Sequence, residues 1–180
     1  WLPLGMRVLN KVNQIIREEM DKINALEVVL PTMQPQELWQ QSGRGQYCGD
    51  ETLKCTDRHG KTLIYGPTAE EVMTFIANNE VQSYKNLPLT LYNIQWKFRD
   101  EIRPRFGMMR CREFLMLDSY SFDENPQKSE ETYNKHYEAF LNIFIRMGLT
   151  AVPMKADSGE IGGDLSHEFI IIADSGESEV

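Results

Sequence analysis

Two alternating runs, residues 91–99 and 114–122, constrain this chain more than any other feature. Each has the period of two expected of a strand with one packed face, and a polar segment, 100–113, separates them. The pattern predicts a long antiparallel hairpin whose connecting residues lie outside the core. Those residues are too polar for a core and too rich in arginine for an idle turn, because Arg103, Arg105, Arg110 and Arg112 follow Arg99. The formal net charge of −8 argues against nucleic-acid binding through the overall field, so a local concentration of arginine points to one particular anion. The competing reading is a solvated turn whose arginines pair with Asp100, Glu101 and Glu113.

The remaining patterns surround this hairpin with helices and short strands. Val8, Val12, Ile15, Ile16, Met20 and Ile23 recur at helical spacing after Pro3 and Gly5. Residues 27–30 read as a short strand stopped by Pro31, and 40–49 as a loop marked by Gly43 and Gly45. A second hairpin is expected from 53–55 and 62–65. Thr68 reads as an N-cap with Glu71 completing a capping box, opening a helix to about Asn78. A helix over 129–147 carries Tyr133, Tyr137, Phe140, Leu141 and Phe144 as its buried stripe, with Gly148 as C-cap. Strands at 154–156 and 169–173 follow. Hairpins and helices without regular strand–helix alternation predict an α+β domain, an antiparallel sheet flanked by helices.

Composition bounds the class. Of 180 residues, 41% are hydrophobic and 26% charged, the balance of an ordinary soluble globular domain, and no apolar run approaches membrane-spanning length. Three cysteines, Cys48, Cys55 and Cys111, make no disulfide framework and suit a reducing, cytoplasmic setting. Cys48, Cys55 and His59 lack the spacing of a structural zinc site and read as a metal-free set.

The chemistry gathers at the hairpin. Arg99 ends one strand and Phe114 begins the other, so both are expected on one face. A guanidinium donates bidentately to phosphate or carboxylate, and an aromatic ring offers a surface for a base. Glu101, two residues beyond Arg99, is expected to return to that face and accept from an exocyclic amine. Together these suit a nucleotide, and neither a Walker-type nor a dinucleotide glycine motif is present.

The run KFRDEIRPRFGMMRCREFLMLDSYSF, residues 97–122, resembles motif 2 of the class II aminoacyl-tRNA synthetases, in the version carried by prolyl-tRNA synthetases of bacterial and mitochondrial type. Residues 5–31 resemble motif 1, Gly66-Pro67-Thr68-Ala69-Glu70-Glu71 the "TxE" loop, and 155–169 the segment after motif 2. The resemblance implies an enzyme that activates L-proline with ATP and passes it to tRNA(Pro). It implies that Arg99 holds the α-phosphate, Glu101 the adenine amine, Arg110 the terminal phosphates, and that Phe114 stacks on the base. It further implies that Thr68 and Glu70, with Arg99, receive proline, that His167 lines the pocket, that magnesium accompanies ATP, and that motif 1 forms a homodimer.

Rival readings accompany each assignment. Thr68 and Glu70 also suit a helix N-terminus, His167 a structural histidine, Phe114 a core position, and Asp118 a structural acid. Met108 and Met109 mark the hairpin tip as a mobile loop that closes over ATP or meets the tRNA end, or as a disordered tip. A third motif and an anticodon-binding module are not found in 1–180, so the chain is expected to be a fragment with little activity alone. Other class II synthetases (threonyl, seryl or histidyl), a non-catalytic synthetase-like paralogue and a plain dimerising domain are the alternatives.

Overall fold

A computed structural model describes residues 1–44, 52–105, 107–158 and 162–173. Gly45 and Cys48 of the expected loop therefore lie outside the described residues. The elements run α1 (Pro3–Lys22), β1 (Leu26–Glu27), β2 (Met33–Pro35), α2 (Gln36–Gln41), β3 (Lys54–Thr56), β4 (Thr62–Tyr65) and α3 (Glu70–Glu80). A 3-10 turn (Tyr84–Asn86) then leads to β5 (Leu89–Phe98), β6 (Glu113–Phe122), α4 (Pro126–Arg146), β7 (Ala151–Lys155) and β8 (His167–Ile171). They gather into two compact units, one of 25–130 and one of 1–24 with 131–180.

In the unit 25–130 the expected long hairpin forms. β5 and β6 pair antiparallel from Leu89↔Phe122 to Phe98↔Glu113. Side chains alternate across such a ladder, and directly paired residues share a face. One face therefore carries Leu89, Leu91, Asn93, Gln95 and Lys97 beside Phe114, Met116, Asp118, Tyr120 and Phe122. Its apolar end is the core of the unit: Leu91 clusters with Leu30, Ala69, Val72 and Met73, and Leu89, Ile76, Tyr120 and Phe122 pack against them. Each such side chain, fully buried, stabilises the fold by roughly 1.5–3 kcal/mol.

The expected strand at 27–30 is shorter and differs in sense. Only Leu26–Glu27 forms a strand, and it runs parallel to β5. Pro31 cannot donate, so the chain peels away, and Leu30 offers its carbonyl to Gln95 Nε2 at 2.6 Å instead. The second hairpin forms as β3 and β4, and β2 joins it to give the order β2-β4-β3. Neither β2 nor α2 was expected, since Pro35 interrupts the sequence pattern; here it stands as the extended N-cap of α2.

In the other unit α1 begins at Pro3, two residues inside what the sequence reads as a lead-in, because proline is favoured in a first helical turn. Met20 is buried, whereas Val8, expected on the packed face, is exposed. Arg146 of α4 reaches Glu18 and Glu19 of α1, meeting Glu19 Oε1 at 2.7 Å. The aromatic stripe of α4 is half-buried and folds around Phe169 of β8, with Tyr137, Phe140 and Phe144 centroids at 5.4, 5.9 and 5.9 Å. Its fully buried positions are Thr132, Ala139 and Ile143, a quarter-turn from the expected ones. Gly148 ends the helix at φ 75°, a conformation glycine adopts without strain.

Candidate active site

The hairpin face changes character along its length. Beyond the apolar end lie Asn93 and Lys97, both buried, with Lys97 Nζ 3.1 Å from Asp118 Oδ2 and 3.2 Å from Asn93 Oδ1. A buried ammonium is tolerable only with such partners. Tyr120 donates its hydroxyl to the same Asp118 oxygen at 2.6 Å and accepts the Ala69 N–H at 3.0 Å. Burial, followed by the charges of Glu70 and Asp118, raises the Tyr120 phenol far above its ordinary value, so it is a neutral donor.

Thr68 and Glu70 meet at the start of α3. The Thr68 hydroxyl donates to Glu70 Oε2 and lies 3.1 Å from Tyr120 Oη. The expected capping box does not form. Ala69 is the N-cap of α3 and makes no side-chain cap bond. Tyr120 takes the Ala69 N–H from across the fold, while Glu71 turns to Ser42 Oγ at 3.0 Å and Arg44 Nη1 at 3.1 Å. Tertiary partners thus replace the local ones.

The backbone before Thr68 is held as firmly. Gln34, buried, donates to the Thr68 carbonyl at 2.8 Å and accepts from Trp39 Nε1 at 2.8 Å. A Cβ on Gly66 would fall 2.2 Å from Gln34 Nε2, so a larger residue there would displace the Gln34 amide from the Thr68 carbonyl. Arg44 completes this end, 3.0 Å from Glu70 Oε2 and lying over the Trp39 ring.

Arg99 and Phe114 share the face as expected: the guanidinium sits 5.5 Å from the ring centroid and donates to the Pro67 carbonyl at 3.4 Å. Arg99 is therefore brought beside Pro67, the residue preceding Thr68, although 32 positions separate the two in sequence. Glu101 does not arrive by strand alternation. Pairing ends with Arg99 N–H donating to the Arg112 carbonyl at 2.8 Å, and Glu101 N–H folds back on the Arg99 carbonyl at 2.7 Å in a tight turn. Glu101 instead meets Arg110, Oε2 to Nε 3.6 Å, and Arg112 pairs with Asp100. Two of the acids named as partners of a solvated turn do pair with its arginines. Met108 and Met109 at the tip are exposed.

His167 belongs to the other unit, where it opens β8, pairs with Lys155 and meets Tyr133 Oη at 2.8 Å through Nδ1. Sequence reading missed Tyr120, Arg44 and Gln34 as members of the Thr68–Glu70 cluster. Tyr120 had a signal, since it shares the even parity of Phe114 and Asp118; Arg44 and Gln34 had none, because their contacts span 26 and 34 positions.

A face that presents an acid and a hydroxyl beside an arginine and an aromatic ring can hold an ammonium and a phosphate next to each other. Residues 53–179 match the family described as the tRNA synthetase class II core domain (G, H, P, S and T). The chain belongs to that family. Proline–tRNA ligases of Caulobacter vibrioides (strain NA1000 / CB15N) and Rhizobium meliloti (strain 1021) are each 61% identical over all 180 residues, and that of Phenylobacterium zucineum (strain HLK1) is 58% identical. The chain spans about two-fifths of these relatives, 41% of each. Among solved structures, Giardia lamblia prolyl-tRNA synthetase in complex with prolyl-adenylate has TM-score 0.80 at 19% identity, covering 86% of this chain and 32% of that one. A threonyl-tRNA synthetase RNA-binding domain from Cryptosporidium parvum Iowa II has TM-score 0.76 at 24% identity, over 85% and 38%. These two likenesses establish the class II fold.

Proposed function

We propose that this chain is the amino-acid-activating core of a proline–tRNA ligase, forming prolyl-adenylate from L-proline and ATP and, in the full-length protein, charging tRNA(Pro). The observation that carries this reading is the approach of Arg99 to the Thr68–Glu70 turn, on a chain about 60% identical throughout to proline–tRNA ligases. Glu70, with the Thr68 oxygen, receives the two N–H groups of the secondary ammonium. Arg99 bridges the proline carboxylate and the α-phosphate. Phe114 supports the base, Glu101 accepts from its amine, and Arg110 reaches the terminal phosphates once they part from each other. His167 is assigned to the proline pocket on the family resemblance alone.

No side chain serves as a covalent nucleophile. The proline carboxylate attacks the α-phosphorus in line and pyrophosphate leaves, so the protein contributes positioning and stabilisation of charge on the phosphoryl oxygens. Among the described residues no three His, Cys, Asp or Glu side chains cluster to hold a metal. That suits magnesium, which binds through substrate phosphates while keeping its waters, and would supply charge neutralisation there. No helix among the described residues is long and apolar enough to cross a membrane. The exposed Met6 and Val8 of α1 support motif 1 as a homodimer contact, and a cytoplasmic location follows from the proposed role. The third motif and the anticodon module are assigned to the rest of the full-length protein, and residues 1–180 alone are expected to be poorly active.

The test is amino-acid-dependent pyrophosphate exchange by the full-length protein. Proline should support exchange, and Arg99→Ala should lower kcat by about 10²–10³, as removal of a donor to transition-state charge does elsewhere. Exchange with threonine instead of proline, or an unchanged Arg99→Ala rate, would overturn the reading.

A further inference from the structure

The Thr68 oxygen poses a question of protons. Its single hydroxyl proton is committed to Glu70 Oε2. The Tyr120 proton is committed to Asp118 Oδ2 at 2.6 Å, and that carboxylate is held by Lys97 at 3.1 Å. Tyr120 Oη also lies within hydrogen-bond distance of Thr68 Oγ1, at 3.1 Å. Ala69 N–H, donated to Tyr120 Oη at 3.0 Å, fixes the turn, and Gln34 fixes the Thr68 carbonyl from the opposite side.

We propose that Tyr120 is a positioning residue for the amine subsite: held by Asp118, it fixes the Thr68–Ala69 turn so that the Thr68 oxygen can meet an N–H of the substrate's secondary ammonium. This rests on the assignment of Thr68 and Glu70 to proline. A secondary ammonium has two N–H groups, one for the Glu70 carboxylate and one for a neutral acceptor. Thr68 Oγ1, which donates to Glu70 and keeps two lone pairs, can be that acceptor beside Tyr120. Lys97 and Asp118, which are assigned no substrate contact, hold the tyrosine that fixes this turn. The neutral phenol keeps this arrangement across the working pH range.

Full-length Tyr120→Phe retains the ring that packs beside Leu91 and loses only the hydroxyl. In proline-dependent pyrophosphate exchange its KM for proline should rise about tenfold, the usual effect of losing a buried hydrogen bond, with KM for ATP unchanged and kcat within a few-fold. Asp118→Asn, which weakens the acceptor that holds the Tyr120 hydroxyl, should raise the same KM. In a Glu70→Gln background the Tyr120→Phe effect should shrink, because both act on one ammonium. A purely structural tyrosine would lower the melting temperature while leaving the proline KM alone, and that result would overturn the proposal. Full additivity with Glu70→Gln would do the same. Absence of proline-dependent exchange in the unaltered protein would instead defeat the proline assignment itself.

Discussion

The two ends of the β5–β6 hairpin are built on opposite terms. Along the inner part, Lys97 and Asp118 pair with side chains only 3% and 10% exposed. At the outer end Arg110 and Glu101 are 45% and 29% exposed, and Arg112 and Asp100 are 50% and 47%. Burial makes a charge pair hard to break and its geometry fixed, whereas solvent makes a pair weak and exchangeable. On the proposed reading, the end assigned to the ammonium is formed in advance, and the end assigned to the phosphates holds its arginines on internal acids that a more strongly charged anion can replace.

The largest expected break is at the inner end. Lys97→Met leaves Asp118 buried without its cation, and urea unfolding should show a loss of about 3–5 kcal/mol, much of it recovered in the Lys97→Met, Asp118→Leu double variant. Recovery would identify the loss as an orphaned charge and not as lost packing.

A smaller effect lies in alkali. Tyr120 has its folded value raised above the ordinary 10, so above pH 10 the unfolded chain releases this proton while the folded chain keeps it. The unfolded state then binds fewer protons, and stability contributed by the neutral phenol, complete below pH 10, falls as pH rises by up to about 1.4 kcal/mol per pH unit. Unfolding followed from pH 9 upward should show this slope, and Tyr120→Phe should flatten it. A residual slope is expected from Tyr65, raised by burial and by the Glu113 charge. The smallest effect belongs to the outer end: Arg112→Ala, which removes a half-exposed pair with Asp100, should change stability by less than about 1 kcal/mol in the same unfolding measurement. A larger loss would mean that the outer end is as firmly built as the inner one.

Much of this hairpin was legible in advance. Period-two alternation placed both strands to within two residues, because one face is packed and register cannot slip without turning that face out. The same parity put Arg99 with Phe114. It failed at Glu101, where the ladder had already ended and parity no longer determines a face. Thr68 shows a different failure. The spacing Thr68–Glu71 satisfies a capping box, but Tyr120, Ser42 and Arg44 offer those groups stronger partners from elsewhere in the chain.

The sequence alone therefore determined the long hairpin, the three long helices, the clustered arginines and the family resemblance, all of which depend on neighbours a few residues apart or on the order of motifs. Only the tertiary structure decided which side chains gather around Thr68, and which acid each arginine meets. Those choices are settled by burial and by distances between side chains remote in sequence, where a single buried hydrogen bond outweighs a local preference of a few tenths of a kcal/mol.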